Sequence, residues 1–197
     1  MTKKRRLLIA GLLAAMAVPA FAQYSDSYNF LKAVRDRDAE KVGAIIANPS
    51  SVALNARDGG SGEGALHILT RGRDVTWLRY LLSRGARPDL QDNDGNTPLM
   101  IAAQIGWAEG AEALLDRGAN VNLPNGQGET PLILAVQRRD LALVRILLAK
   151  GADASHTDSA AGLSALDYAR RDNRSAAILR LLEAPRNQPL QVYGPVR

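Results

Sequence analysis

His67 and His156 are the only imidazoles in this 197-residue chain, and it has no cysteine. Without thiols there are no disulfides, thiolate metal sites or cysteine nucleophiles to consider. His156 stands beside Asp153, Ser155 and Asp158, which by residue type form a nucleophile–base–acid set. Residues so close in one loop do not reach the mutual geometry a triad needs, so His156 reads as a solvated loop residue. Asp92-Asn93-Asp94-Gly95-Asn96 has the oxygen-rich composition of a calcium loop but no glutamate at the twelfth position, Gln104 standing near it. No glycine-rich phosphate cradle follows a strand. With no acid, base and nucleophile to place in roles, the expectation is a non-catalytic protein with no cofactor and no metal.

Charge and aromatic residues bear on binding instead. The net charge of +5 suggests a polyanion, but Lys3, Lys4, Arg5 and Arg6 supply most of it. Without residues 1–22 there are 21 basic against 20 acidic side chains, which is no footprint for nucleic acid. Arg84, Arg117 and Lys150 recur every 33 residues. They form either a stripe for acidic ligands or a set of cations at helix C-termini, where the macrodipole favours them. Trp107, between Gly106 and Ala108, reads either as an exposed interface anchor or as a ring folded on its own helix. Trp77 reads as core.

The elements that position these residues repeat. Gly95-Asn96-Thr97-Pro98-Leu99 returns 33 residues later as Gly128-Glu129-Thr130-Pro131-Leu132. Leu114-Leu115-Asp116-Arg117-Gly118-Ala119 has counterparts at Leu81–Ala86 and Leu147–Ala152. Thr97 and Thr130 are N-cap residues followed by proline at the first helical position, where no N–H is needed. Leu99, Ala102 and Ala103 give the short inner helix its apolar face, and Gly106 ends it. A second helix carries Ala111, Leu114 and Leu115, and Leu148, which repeats Leu115 and Leu82, is expected to be buried between units. Gly85, Gly118 and Gly151 supply the left-handed residue that closes each second helix. One such pair cannot bury its own apolar face and must stack on neighbours.

On this period and these motifs the chain resembles the ankyrin-repeat family. The resemblance implies an all-α solenoid of about five helix-turn-helix units with β-turn or loop tips, at about 27–57, 58–91, 92–124, 125–157 and 158–184, within a domain spanning 23–184. The unit over 58–91 has Gly64-Ala65 in place of Thr-Pro. The first unit sets Phe30, Leu31 and Val34 against Val42, Ile45 and Ile46, and the last is degenerate, with Ile178, Leu181 and Leu182. The family's motif histidine, which ties neighbouring loops, survives as His67. Met100 and Ile133 replace it elsewhere, so those junctions are expected to rest on packing. The loop 48–63, with Gly59, Gly60 and Gly62, is expected to be mobile.

Residues 1–22 have a basic start, an apolar run from Leu7 to Val18, then Pro19 and Ala20-Phe21-Ala22, the three parts of a secretory signal. The run is too short to span a bilayer, so cleavage is expected between Ala22 and Gln23, with no stable membrane insertion afterwards. The tail 185–197, with Pro185, Pro189 and Pro195, is expected to be disordered.

These readings give an exported periplasmic scaffold, expected to be a monomer and to bind a protein partner rather than nucleic acid. The resemblance places the binding residues at the loop tips (Asn93, Asp94, Asn96, Gly126, Gln127 and Glu129) and at the inner-helix ends (Arg71, Gln104, Ile105, Gln137 and Arg138), with Trp107 at the edge. A secreted effector or inhibitor-type binder is the second reading; an enzyme or enzyme subunit is a remote third.

Overall fold

The computed structural model describes residues 19–47 and 52–184, with side chains from residue 26 onward. Residues 1–18 of the expected signal and the expected tail 185–197 lie outside the described residues, and residues 19–22 are described only as helical backbone. The described residues form ten α-helices and no strands. Inner helices α1 (Pro19–Asp36), α3 (Ala65–Arg71), α5 (Pro98–Ile105), α7 (Pro131–Gln137) and α9 (Ala165–Arg171) pack in one row. Outer helices α4 (Val75–Ser83), α6 (Ala108–Leu115), α8 (Leu141–Ala149) and α10 (Ala176–Glu183) pack in a second, while α2 (Ala39–Ala47) packs on α1 and on the 3₁₀ turn at Ala53–Asn55.

The caps explain where each helix starts. Thr97 Oγ1 accepts from the Met100 N–H at 3.3 Å, and Thr130 Oγ1 from the Ile133 N–H at 3.4 Å, each with proline in the first turn. Ser164 and Asp167 cap α9 reciprocally. Helices α2, α4 and α8 begin on aspartates: Asp38, Asp74 and Asp140 accept from Lys41, Trp77 and Leu143 N–H groups, each at 3.0 Å. Gly85, Gly118 and Gly151 take the expected left-handed backbone, with φ of 90°, 83° and 85°.

Because α5 is covered by α3, α6 and α7, it is apolar nearly all round, and Pro98 to Ala103 are all buried. The core continues through Leu78 and Leu81, Leu114, Leu132, Leu143 and Leu147. In the first unit Phe30, Leu31, Val34 and Val42 are buried and Ile45 and Ile46 half-buried. In the last unit Ile178 is buried, while Leu181 and Leu182 are half-buried, and among the described residues no further pair stacks on them. Trp77 corrects its sequence reading: it is half-buried at the core's edge, its ring edge-on to Tyr80 at 5.8 Å.

Residues 48–51 of the loop after α2 lie outside the described residues. From Arg57 onward the loop is an organised turn, in which Asp58 Oδ1 accepts from the Gly60 and Ser61 N–H groups. Arg57 Nε donates to the Gly62 carbonyl at 2.9 Å, and Asn93 Nδ2 donates to the Gly60 carbonyl at 2.7 Å. The glycines serve this geometry; Gly62 has φ of 74° and lies against Asn93 and Arg57.

Thr70 is fully buried on α3, and its hydroxyl has no hydrogen-bond partner. Ala103 and Val136 occupy the same place in the next two units. An unsatisfied buried donor carries its full desolvation cost, whereas an apolar group of the same shape does not. Thr70→Val is therefore expected to stabilise the protein by about 1 kcal/mol in denaturant melts. A destabilised variant would mean that the hydroxyl is satisfied.

Candidate functional site

The loops form a repeating hydrogen-bonded comb. Asn93 N–H donates to the Ser61 carbonyl at 3.0 Å, Gly126 N–H to the Asp94 carbonyl at 2.9 Å, and Ser159 N–H to the Gln127 carbonyl at 2.8 Å. On a second line, Asn55, Asp89 and Asn122 side chains accept from the N–H groups of Arg87, Asn120 and Asp153, each at 2.8 Å. The Asp/Asn-rich loops are thus joints between units. The calcium-like segment belongs to them, because Asp92 Oδ1 accepts from the Asp94 and Asn96 N–H groups at 3.0 and 2.8 Å.

His67 is fully buried and acts as the resemblance implies. Its Nδ1 accepts from the Gly64 N–H at 3.1 Å, so Nε2 carries the proton and donates to the Asn96 carbonyl at 2.9 Å. Burial pushes its pKa below the usual 6.5. The neutral ring is the folded form, so its contribution is present above the ordinary histidine range and is lost as pH falls through about 6.5 and below. The melting temperature is expected to drop from pH 7.5 to 5.5, with a shallower slope in His67→Gln. An equal slope would assign the dependence to other groups. Met100 and Ile133, in the equivalent places, are fully buried, as expected for junctions made by packing. His156 corrects its reading as a solvated residue: it is half-buried, and its Nε2 lies 3.0 Å from the Gly128 carbonyl. Beside it, Tyr168 donates to Asp158 at 2.6 Å, and this bond, before any other cause, lowers the Asp158 pKa.

Among the residues singled out for binding, Asn93, Asp94, Gly126 and Gln127 are exposed at the tips, and Arg71, Gln137 and Arg138 are exposed at the inner-helix ends. Gln104 and Ile105 are half-buried. Asn93 also ties loops, since its Oδ1 accepts from Arg57 at 3.0 Å. Gly126 is framework, because a Cβ there would crowd the Asp94 carbonyl at 2.9 Å. Half-buried Glu129 accepts from Asn125 Nδ2 at 3.0 Å. Two candidates are withdrawn from the surface. Asn96 is buried with Asp92, near Gln104 and Asn125. Trp107 is 6% exposed and lies over Gly110, where any Cβ would overlap the indole. Glycine three residues after the tryptophan, inside a helix, was the sequence signal for this.

The cation column proves mixed. Lys150 pairs with Asp116 at 2.9 Å, and Arg84 lies over the Tyr80 ring at 5.2 Å. Sequence reasoning missed a different series, the left-handed turns that close inner helices on Arg37, Arg73, Gly106 and Arg139. Three are arginines, which tolerate that backbone less well than glycine. Their value lies in reach: Arg37 Nε donates to Asp74 at 2.6 Å and Arg139 Nε to Asp172 at 2.5 Å, each crossing to the next unit. The Arg139 contact is the main reason the Asp172 carboxyl sits well below the usual carboxylate range.

Among family models, one for ankyrin repeats (3 copies) matches residues 30–125, and one for ankyrin repeats (many copies) matches residues 114–169. The chain is also 30% identical over 79 residues to oxysterol-binding protein homolog 1 of Saccharomyces cerevisiae. That segment is 39% of this chain and spans 7% of the yeast protein.

Proposed function

The chain belongs to the ankyrin-repeat family, and on that premise we propose that it is a non-catalytic scaffold exported to the periplasm, binding a protein partner through loop tips and inner-helix ends. Ankyrin repeats are in general protein–protein interaction modules. One observation carries the placement of the binding face. Thr97, Thr130, Leu99 and Leu132 are buried and repeated, while exposed Asp94, Gln127 and Arg138 beside them are free of the fold's demands. Specificity placed at such positions costs little stability. In-cell crosslinking tests the reading: a reproducible adduct with one protein is expected, and none in repeated captures would contradict it.

The export reading is supported by Lys3 to Arg6, the apolar run Leu7 to Val18 and Ala20-Phe21-Ala22. Among the described residues no helix is long and apolar enough to cross a membrane. The periplasmic fraction is expected to contain a species whose intact mass begins at Gln23. A product that keeps residues 1–22 and pellets with membranes would make the segment an anchor.

A further inference from the structure

The forward-reaching arginines follow a rule that breaks once. In each of the first four units the residue after the left-handed turn starts the outer helix, and it is Asp38, Asp74, Trp107 and Asp140 in order. Arg37 meets its acid, Asp74, one unit on. Arg73 has none, because Trp107 stands where the acid would be; it donates instead to the Ile105 carbonyl at 2.5 Å. The turn residue of that same unit is Gly106, and the space left by its missing side chain is occupied from the other side. Arg138 Nη2 lies 3.1 Å from where a Cβ of Gly106 would be. Two guanidiniums thus converge on the Ile105–Gly106 turn, and neither has an ion pair among the described residues. The carboxylate facing them is Asp140, whose Oδ2 is 3.3 Å from that same Cβ position while its Oδ1 caps α8. Both arginines at this notch are exposed.

We propose that this notch takes the carboxylate of an acidic side chain on a partner protein, which completes the ladder broken at Trp107. The proposal rests on the scaffold reading and gives its partner a chemistry. A guanidinium presents fixed pairs of donors that match a carboxylate, and such charge-assisted bonds are the stronger kind. Half-buried Ile105 gives the turn an apolar edge, which suits a peptide chain. A nucleic-acid backbone suits it less, because Asp74, Asp140 and Asp172 interrupt the positive potential along this edge.

The probe is a fluorescein-labelled twelve-residue peptide, (Glu-Ser-Ala)4, titrated with the mature protein at low salt and read by anisotropy. A glutamine version of the peptide and a thymidine dodecamer are the comparison ligands. Binding is expected for the glutamate peptide, weakening with added salt and at least tenfold weaker in Arg73→Gln/Arg138→Gln. Lys150→Gln on the outer side should leave it unchanged, and circular dichroism melts verify that each variant is folded. Equal binding to the double variant, equal binding of the glutamine peptide, or no binding at low salt would overturn the proposal. Tighter binding of the thymidine strand through the same arginines would overturn it in favour of a nucleic-acid ligand. Crosslinking separates the two levels. A partner still captured by a wild type that ignores the peptide removes the notch and leaves the scaffold reading standing, whereas no partner at all removes the scaffold reading itself.

Discussion

Leu147→Ala is expected to cost about 2–5 kcal/mol, the range for deleting a fully buried leucine whose cavity only partly collapses. Leu147 has no exposed surface; it lies on α8, which packs against α6, α7 and α10. Its counterparts Leu81 and Leu114 are equally buried. In an array of five helix pairs such a loss is a large fraction of the stability, since domains of this kind hold roughly 5–15 kcal/mol. Neighbouring Leu148 corrects the sequence expectation that it would be buried between units: it is half-buried on the outer edge of α8. Leu148→Ala should therefore cost distinctly less than Leu147→Ala. Denaturant melts of the two variants side by side measure this, and a larger loss at Leu148 would mean that α8 is rotated from the orientation described.

Much of the fold was legible because its signals are local and recur. Thr97-Pro98 and Thr130-Pro131 announce helix starts through their own backbone chemistry, and Gly85, Gly118 and Gly151 announce ends. His67 was legible by resemblance. What escaped were the contacts that join one unit to the next, which local patterns do not encode. The acceptor roles of Asn55, Asp89 and Asn122 depend on a backbone group 31 or 32 residues later. Arg37, Arg73 and Arg139 hid in a position where glycine is the expected residue, so their reach across units was not sought. Leu148 was misplaced because Leu147-Leu148 satisfies the helical pattern in either of two rotations by one residue. Trp107 was left open because only its relation to Gly110 decides where the ring lies. At the candidate site, the resemblance pointed to Asp94, Gln127, Gln137 and Arg138, all exposed. It also pointed to Asn96 and Glu129, whose side chains are engaged within the loops.

Those engagements decide which residues make the cleanest test of the scaffold account. Glu129 is held by Asn125, so its reversal would disturb the loop; Asp94 has an exposed carboxylate and Arg138 an exposed guanidinium. Asp94→Lys with Arg138→Glu reverses both signs on the proposed face. Like charges brought together in an interface cost several kcal/mol, while exposed substitutions change folding stability by about 0.5 kcal/mol or less. Partner capture by crosslinking in the native host, compared between the double variant and wild type, is the measurement, with Arg180→Glu on α10 as the control. Capture should fall at least tenfold in the double variant, at an almost unchanged melting temperature, and remain normal in the control. Normal capture by the double variant together with loss in the control would place the binding surface at the C-terminal end of the stack and contradict the account.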